Sequence, residues 1–167
     1  MSKKPKLRTV EKSLPPFPLN EFPKDFPFIL GKELVYLLAS KGKAILEGSE
    51  FEAIFATCIG AEWKPSNVGL DDIILGNTAW GAKTVKATNP ATQKKVRLIS
   101  GRNSPVYSFG ETIDTHHDPN AVGQSVLEIW NERVSAVREK FQNLRTVVLV
   151  KSNDLTEVVV FEFDTIR

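Results

Sequence analysis

Residues 70–87 read LDDIILGNTAWGAKTVKA, two apolar segments separated by Gly76 and Asn77. Such a pair between apolar runs is typical of a two-residue β-hairpin turn. The sequence therefore predicts one strand over Leu70–Leu75 and a second over Ala79–Ala87. This hairpin is the pattern from which the rest of the fold can be worked out.

The length of the turn determines which side chains share a face of the hairpin. With a two-residue turn, Leu75 faces Thr78 and Asp72 falls opposite Gly81. Opposed residues share a face, and so do residues two apart on one strand. One face should therefore carry Asp72, Gly81 and Lys83, with room beside the glycine. The other should be a core face made of Ile73, Leu75, Trp80 and Ala82.

On the N-terminal side of the hairpin, two helices and an extended arm are predicted. A helix over Ser49–Gly60 should begin with a capping box formed by Ser49 and Glu52, and its apolar stripe should bury Cys58. A shorter helix is predicted over Lys32–Lys41. Residues 1–28 are rich in proline and phenylalanine, which predicts an extended arm lying on the body of the protein or on a partner.

On the C-terminal side, a third strand is predicted over Lys95–Ser100. A long helix should then begin at Pro119, capped by Asp118, and run to Phe141. Its apolar stripe should pack on the sheet. Two further strands are predicted over Arg145–Val150 and Glu157–Phe163. The long helix allows a crossover to a parallel strand, whereas the short links predict antiparallel pairs.

The predicted fold class is therefore α/β (mixed α+β), with a central mixed sheet of about five strands flanked by helices. Residues 29–167 should form a single domain. The chain has 167 residues and is 41% hydrophobic, which is enough for a core without disulfides. It has one cysteine and no apolar run long enough to cross a membrane, so a soluble cytoplasmic protein is expected.

Asp72 and Lys83 on one face suggest metal-dependent hydrolysis of a phosphodiester. A carboxylate holds Mg²⁺ through oxygen, the metal polarises a phosphate and activates water, and a nearby lysine stabilises developing negative charge. The alternative is a purely structural role, in which Asp72 only begins a strand and Lys83 and Lys86 are ordinary surface lysines.

These residues, in GLDDIILGN and AWGAKTVKA, resemble the PD-(D/E)XK nuclease superfamily, which includes type II restriction endonucleases. The order of elements from residue 49 to residue 163 resembles it as well. The resemblance implies catalytic roles for Asp72 and Lys83, or for Lys86 as an alternative lysine. It places an acidic residue where Gly81 stands, so a second metal-binding carboxylate is expected from Glu50 or Glu52, or else from Glu128.

The resemblance also implies partners and a role. The expected activity is metal-dependent endonuclease cleavage of double-stranded DNA in restriction-modification, with Mg²⁺ as cofactor and a homodimer as a common state. The chain would be a whole enzyme or the catalytic part of a longer protein. The alternative from another class is a non-catalytic domain that binds DNA or a protein.

Residues 83–102 contain several basic side chains and no acidic one. Such a stretch can neutralise DNA phosphates, although a solvated basic edge would have the same composition. The residues predicted to contact DNA are Lys94, Lys95, Arg97, Arg102 and Asn103. Arginine and asparagine are well suited to base edges.

Overall fold

The computed structural model describes residues 13–66, 68–98 and 118–165. Its helices are α1 (Phe26–Lys41), α2 (Gly48–Ile59) and α3 (Pro119–Arg138), with a 3₁₀ turn at Pro90–Thr92. Its strands are β1 (Glu62–Trp63), β2 (Ile73–Leu75), β3 (Thr78–Lys86), β4 (Asn143–Lys151) and β5 (Val158–Asp164).

The five strands form one mixed sheet in the order β1-β2-β3-β4-β5. The pairs β1–β2, β2–β3 and β4–β5 are antiparallel, and β3–β4 is parallel over the full length of both strands. The parallel pair follows from α3, which carries the chain back to the same end of the sheet. The predicted fold class, a mixed sheet of five strands flanked by helices, is confirmed.

Helices cover the two faces of this sheet. On one face α1 and α2 pack on the sheet, with Phe51 and Phe55 of α2 against Trp80 and Val147. On the other face, Val137 of α3 packs with a smaller buried group consisting of Leu70, Ala79 and Leu144. The predicted apolar stripe of α3 is present in that layer, where Trp130 and Val134 are partly buried against the same group.

The N-terminal segment differs from the prediction at its end. Helix α1 begins at Phe26, because Pro27 lies in the first helical turn, where its missing N–H costs nothing. The arm predicted over residues 1–28 is therefore wrong for its last three residues. The preceding described residues lie on the body of the protein, where Phe17 stacks on Trp80 with 6.0 Å between ring centroids.

Two local predictions need correction. The capping box of α2 is formed by Glu47 and Glu50 rather than by Ser49 and Glu52, since the helix begins at Gly48. The strand predicted over Lys95–Ser100 does not form up to Leu98, and the last two residues lie outside the described residues. Gln93 Nε2 donates to the Lys95 carbonyl at 2.6 Å, so a local side-chain bond takes the place of a ladder bond at that carbonyl. The strand that completes the sheet is instead β1.

The described helices include none that combines the length and the apolar character of a membrane span. Cys58 is buried and unpaired, as its position on the stripe of α2 predicted.

Candidate active site

The hairpin register agrees with the prediction. Leu75 pairs with Thr78 and Ile73 with Trp80, so Gly76 and Asn77 form the two-residue turn, and Gly76 adopts φ 58°. A left-handed conformation of this kind favours glycine. Continuing the register by one residue places Asp72 opposite Gly81.

Gly81 and Lys83 lie on the side of the sheet that faces α3, and alternation from Ile73 assigns Asp72 to the same side. Ile73 and Trp80 belong to the core beneath α1 and α2, whereas Ala79 belongs to the group that packs on α3. Alternation along β3 then assigns Lys83 to the α3 side. There it lines a cavity of about 290 Å³ together with Trp130, Thr146 and Phe163.

The Asp72 carboxylate is buried and bonded to backbone. Its residue is 5% exposed, and its Oδ1 accepts a hydrogen bond from the Ser66 amide at 2.6 Å. The Lys64 amide donates to the Asp72 carbonyl at 2.7 Å, which extends the β1–β2 ladder by one pair. Asp72 is therefore held in the bend directly before β2.

Asp71 is a second buried carboxylate in the same place, and sequence reasoning assigned it no role. Its Oδ1 accepts from the Ser66 hydroxyl at 2.5 Å, and Lys140 Nζ lies 3.8 Å from its Oδ2. The Ser66 hydroxyl in turn accepts from the Gly69 amide at 3.0 Å. The signal in the sequence was the pair of adjacent aspartates, both of which are held by one serine.

The room expected beside Gly81 is occupied, which corrects the prediction. A Cβ at Gly81 would lie 3.2 Å from both the Gly69 carbonyl oxygen and the Leu70 Cα. The chain before β2 thus crosses directly over Gly81, and a Cβ there would have to displace this backbone by a few tenths of an ångström. Arg133 of α3 holds this segment by donating through Nε to the Val68 carbonyl at 2.8 Å.

Glu50 and Glu52 do not join Asp72, so the predicted metal-binding set is wrong as a cluster. Both belong to α2, which packs on the opposite face of the sheet from Asp72. Among the described residues no group of three or more His, Cys, Asp or Glu side chains could hold a metal ion. Glu52 accepts instead from Trp63 Nε1 at 3.3 Å.

Glu50 has a structural role in its own location. It accepts from Lys41 Nζ at 2.7 Å and from the Glu47 amide at 2.8 Å, which completes the capping box. The amide hydrogen bond and then the Lys41 ammonium lower the pKa of Glu50, so it is an ionised cap.

Lys86, the alternative catalytic lysine, lies on the wrong face. It is three residues after Lys83 on β3, so alternation turns it toward the α2 side, where it pairs in register with Lys151. Lys151 is buried and donates to the Leu46 carbonyl at 2.6 Å. Burial, and then the charge of Lys86, lower the pKa of Lys151. Lys86 and Asp72 therefore cannot serve one site.

The predicted DNA contacts are only partly described. Lys94, Lys95 and Arg97 are exposed in an irregular segment after the 3₁₀ turn, where they are accessible to a polyanion. Arg102 and Asn103 lie outside the described residues.

Sequence reasoning missed a buried polar cluster on the face beneath the arm. Glu162 accepts from Trp80 Nε1 and from Arg145 Nη1, each at 2.7 Å, and its amide donates to Asn20 Oδ1 at 2.7 Å. Burial raises the pKa of Glu162, and the hydrogen bond from Trp80 and the charge of Arg145 oppose that rise. The cluster ties the arm to β5. Its signal was a buried-strand face of β5 on which Glu162 and then Asp164 follow Val158 and Val160.

Comparison of the chain with known protein families, characterised proteins and solved structures finds no significant match to any of them.

Proposed function

We propose that this chain is a Mg²⁺-dependent endonuclease of the restriction type that hydrolyses phosphodiester bonds of double-stranded DNA. The observation that supports it is the hairpin register, in which Leu75 pairs with Thr78 and Ile73 with Trp80. Strand alternation continued from these pairs assigns Asp72 and Lys83 to one face of the sheet. The order of elements from α2 onward supports it as well, because three antiparallel strands precede a crossover helix and a parallel strand. The unpaired thiol of Cys58 fits a reducing compartment such as the cytoplasm.

The carboxylates of Asp71 and Asp72 are the oxygen ligands that we propose for Mg²⁺. This ion is commonly held by one or two carboxylates and completes its shell with water and substrate phosphate. Asp72 would be the main protein ligand, with Asp71 beside it. A bound ion would polarise the phosphate and lower the pKa of a water molecule.

Lys83 would act on the same phosphate from the neighbouring strand. Its ammonium would stabilise charge that develops on the phosphate oxygens and would orient the attacking water. Lys94, Lys95 and Arg97 would hold the DNA backbone nearby, which positions the scissile bond without reading its sequence. Arg102 and Asn103 remain the predicted contacts to base edges.

The test is incubation of plasmid DNA of mixed sequence with the protein in Mg²⁺, in Mn²⁺ and in EDTA. Cleavage should need the metal, and both Asp72→Asn and Lys83→Ala should abolish it while DNA binding in a gel-shift assay persists. The matched controls are Asp25→Asn, an exposed aspartate without a side-chain cap bond, and Lys86→Ala on the opposite face. Normal cleavage by Asp72→Asn would refute the proposed site.

A second candidate is a domain of the same fold that binds DNA or protein without cleaving it. The burial of Asp72, its bond to the Ser66 amide and the backbone packed over Gly81 favour this candidate, because all three suit a structural aspartate. Calorimetric titration with Mn²⁺ separates the two. The endonuclease should bind the ion in the millimolar range and lose it in Asp72→Asn, whereas the binding domain should show no heat.

DNA binding itself can be tested at the exposed basic segment. If Lys94, Lys95 and Arg97 contact phosphates, replacing one of them by alanine should weaken binding about equally for all sequences and lower the salt slope by about one unit. The triple alanine variant should lower the slope further. An unchanged slope in that variant would mean that the segment is only a solvated edge.

A further inference from the structure

The cavity beside Lys83 lies between α3 and the sheet and has a volume of about 290 Å³. This is roughly twice the volume of an apolar cavity of about 150 Å³ that holds benzene. The space therefore suits a ligand body of about two rings. The described residues that form its walls are Lys83 of β3, Thr146 of β4, Phe163 of β5, and Val126, Leu127 and Trp130 of α3.

Most of these walls are apolar. The rings of Trp130 and Phe163 and the side chain of Val126 are partly buried, while Leu127 is 56% exposed, so solvent reaches the cavity. An apolar concavity lined by aromatic side chains, with few polar groups, is the usual form of a small-molecule site. A ligand with an apolar body would gain free energy there by leaving water.

Lys83 is the charged residue of the described lining. It pairs in register with Val148 of β4, so its ammonium stands beside apolar walls. An ammonium attracts an anion more strongly in such surroundings than in water, because the local dielectric constant is lower. The Thr146 hydroxyl is bonded within the sheet to the Thr165 hydroxyl at 2.8 Å. Lys83 is therefore the group that can orient the polar end of a ligand.

We propose that this cavity binds a small carboxylic acid with an apolar body. The carboxylate would accept from the Lys83 ammonium, and the body would lie between the rings of Trp130 and Phe163. A nucleobase suits the cavity less well, because reading a base edge takes several donors and acceptors. The described lining offers one ammonium and one hydroxyl that already has a partner.

This proposal goes beyond the endonuclease and does not rest on it. Binding of the acid needs neither Mg²⁺ nor the Asp72 carboxylate, which is not part of the described lining. Asp72→Asn should therefore bind the acid as the wild type does, whatever its effect on cleavage. Failure of the endonuclease would appear as a lack of DNA cleavage, whereas failure of the present proposal would appear as a lack of acid binding.

The test is calorimetric titration of the full chain with 2-naphthoate at pH 7, without DNA or metal. We expect one site per chain with a Kd below about 1 mM. 2-Naphthylmethanol has the same rings without the charge and should bind at least about 10-fold more weakly. Lys83→Met should remove this difference, because it keeps an apolar stem and loses the ammonium. Lys86→Met, on the opposite face of β3, is the matched control and should retain it.

A second pair of variants tests the location of the site. Val126→Phe should fill part of the cavity and abolish binding of both compounds, while circular dichroism shows the wild-type fold. Val35→Phe makes the same change at a 68% exposed position on α1 and should bind both compounds as the wild type does. No heat up to about 5 mM 2-naphthoate, equal affinity of the wild type for the acid and the alcohol, or full binding by Val126→Phe would overturn the proposal.

Discussion

Gly81 offers a sharp test of how the candidate site is built. In Gly81→Ala the new Cβ would lie 3.2 Å from the Gly69 carbonyl oxygen, 3.2 Å from the Leu70 Cα and 3.3 Å from the Leu70 Cδ2. Two of these three atoms are backbone, so a rotamer change cannot relieve the contact. Overpacking of this kind costs about 1–3 kcal/mol, and about 2 kcal/mol should lower the Tm by roughly 4–8 °C in a chain of this size.

Gly81→Glu sharpens the same argument, because it restores the acidic residue that the resemblance expects two positions before Lys83. Its carboxylate would add the cost of a buried charge to the same overlap, so the variant should be less stable than Gly81→Ala. We expect no gain in cleavage, since the position faces the crossing backbone.

The assay is thermal unfolding followed by circular dichroism, with plasmid cleavage measured below the transition. Gly123→Ala is the matched control, because a Cβ there meets no atom within 4 Å. As a glycine within α3, it should gain about 0.5–1 kcal/mol on replacement. A Gly81→Ala protein as stable as the wild type, or faster cleavage by Gly81→Glu, would refute the reasoning.

Three further predictions concern the core and the caps. Glu162→Ala should cost about 3–5 kcal/mol in urea unfolding, because it leaves Arg145 buried without its closest partner; Asp164→Ala, 3.6 Å from Arg145 and half exposed, should cost much less. Burial raises the pKa of the Cys58 thiol from 9.0 to about 12. The stabilisation from burying the neutral thiol should therefore be complete below pH 9 and fall as pH rises toward 12. The native thiol should resist maleimide at pH 7, and the thiol of the protein unfolded in guanidinium should react with it. Asp118→Ala should cost about 1 kcal/mol in the same urea assay, because Asp118 accepts from the Asn120 amide at 2.9 Å at the start of α3; an unchanged midpoint would contradict its role as the cap.

The features that were predicted correctly from the sequence depend on local patterns of residues. The hairpin register came from a two-residue turn and an alternating strand, and both are short-range features. Asp118 and Pro119 predicted the start of α3 for the same reason. The strand expected over Lys95–Ser100 does not form up to Leu98, because alternation shows only that a segment can pair, whereas the side chain of Gln93 bonds the Lys95 carbonyl locally.

The predictions that failed at the candidate site depend on contacts between residues far apart in the sequence. Nothing near Gly81 in the sequence shows that Gly69 and Leu70 cross over it. The Trp80–Glu162 bond joins residues 82 positions apart, and the arm reaches Glu162 from 142 positions away. The carboxylate set failed because the sequence placed Glu50 and Glu52 on a helix without showing which face of the sheet that helix would cover.

The turn at Gly76 and Asn77 fixes both the core and the candidate site, so the two cannot vary independently. Because side chains alternate along β3, the register that buries Trp80 beneath α2 also turns Gly81 and Lys83 toward α3. One added residue in the turn would exchange the faces of one strand relative to the other. It would then separate Asp72 from Lys83 and expose the apolar face. Selection for a buried Trp80 alone would therefore keep Asp72 and Lys83 together, so the catalytic role is tested by titration of Asp72→Asn with Mn²⁺, which changes the carboxylate and leaves the register as it is.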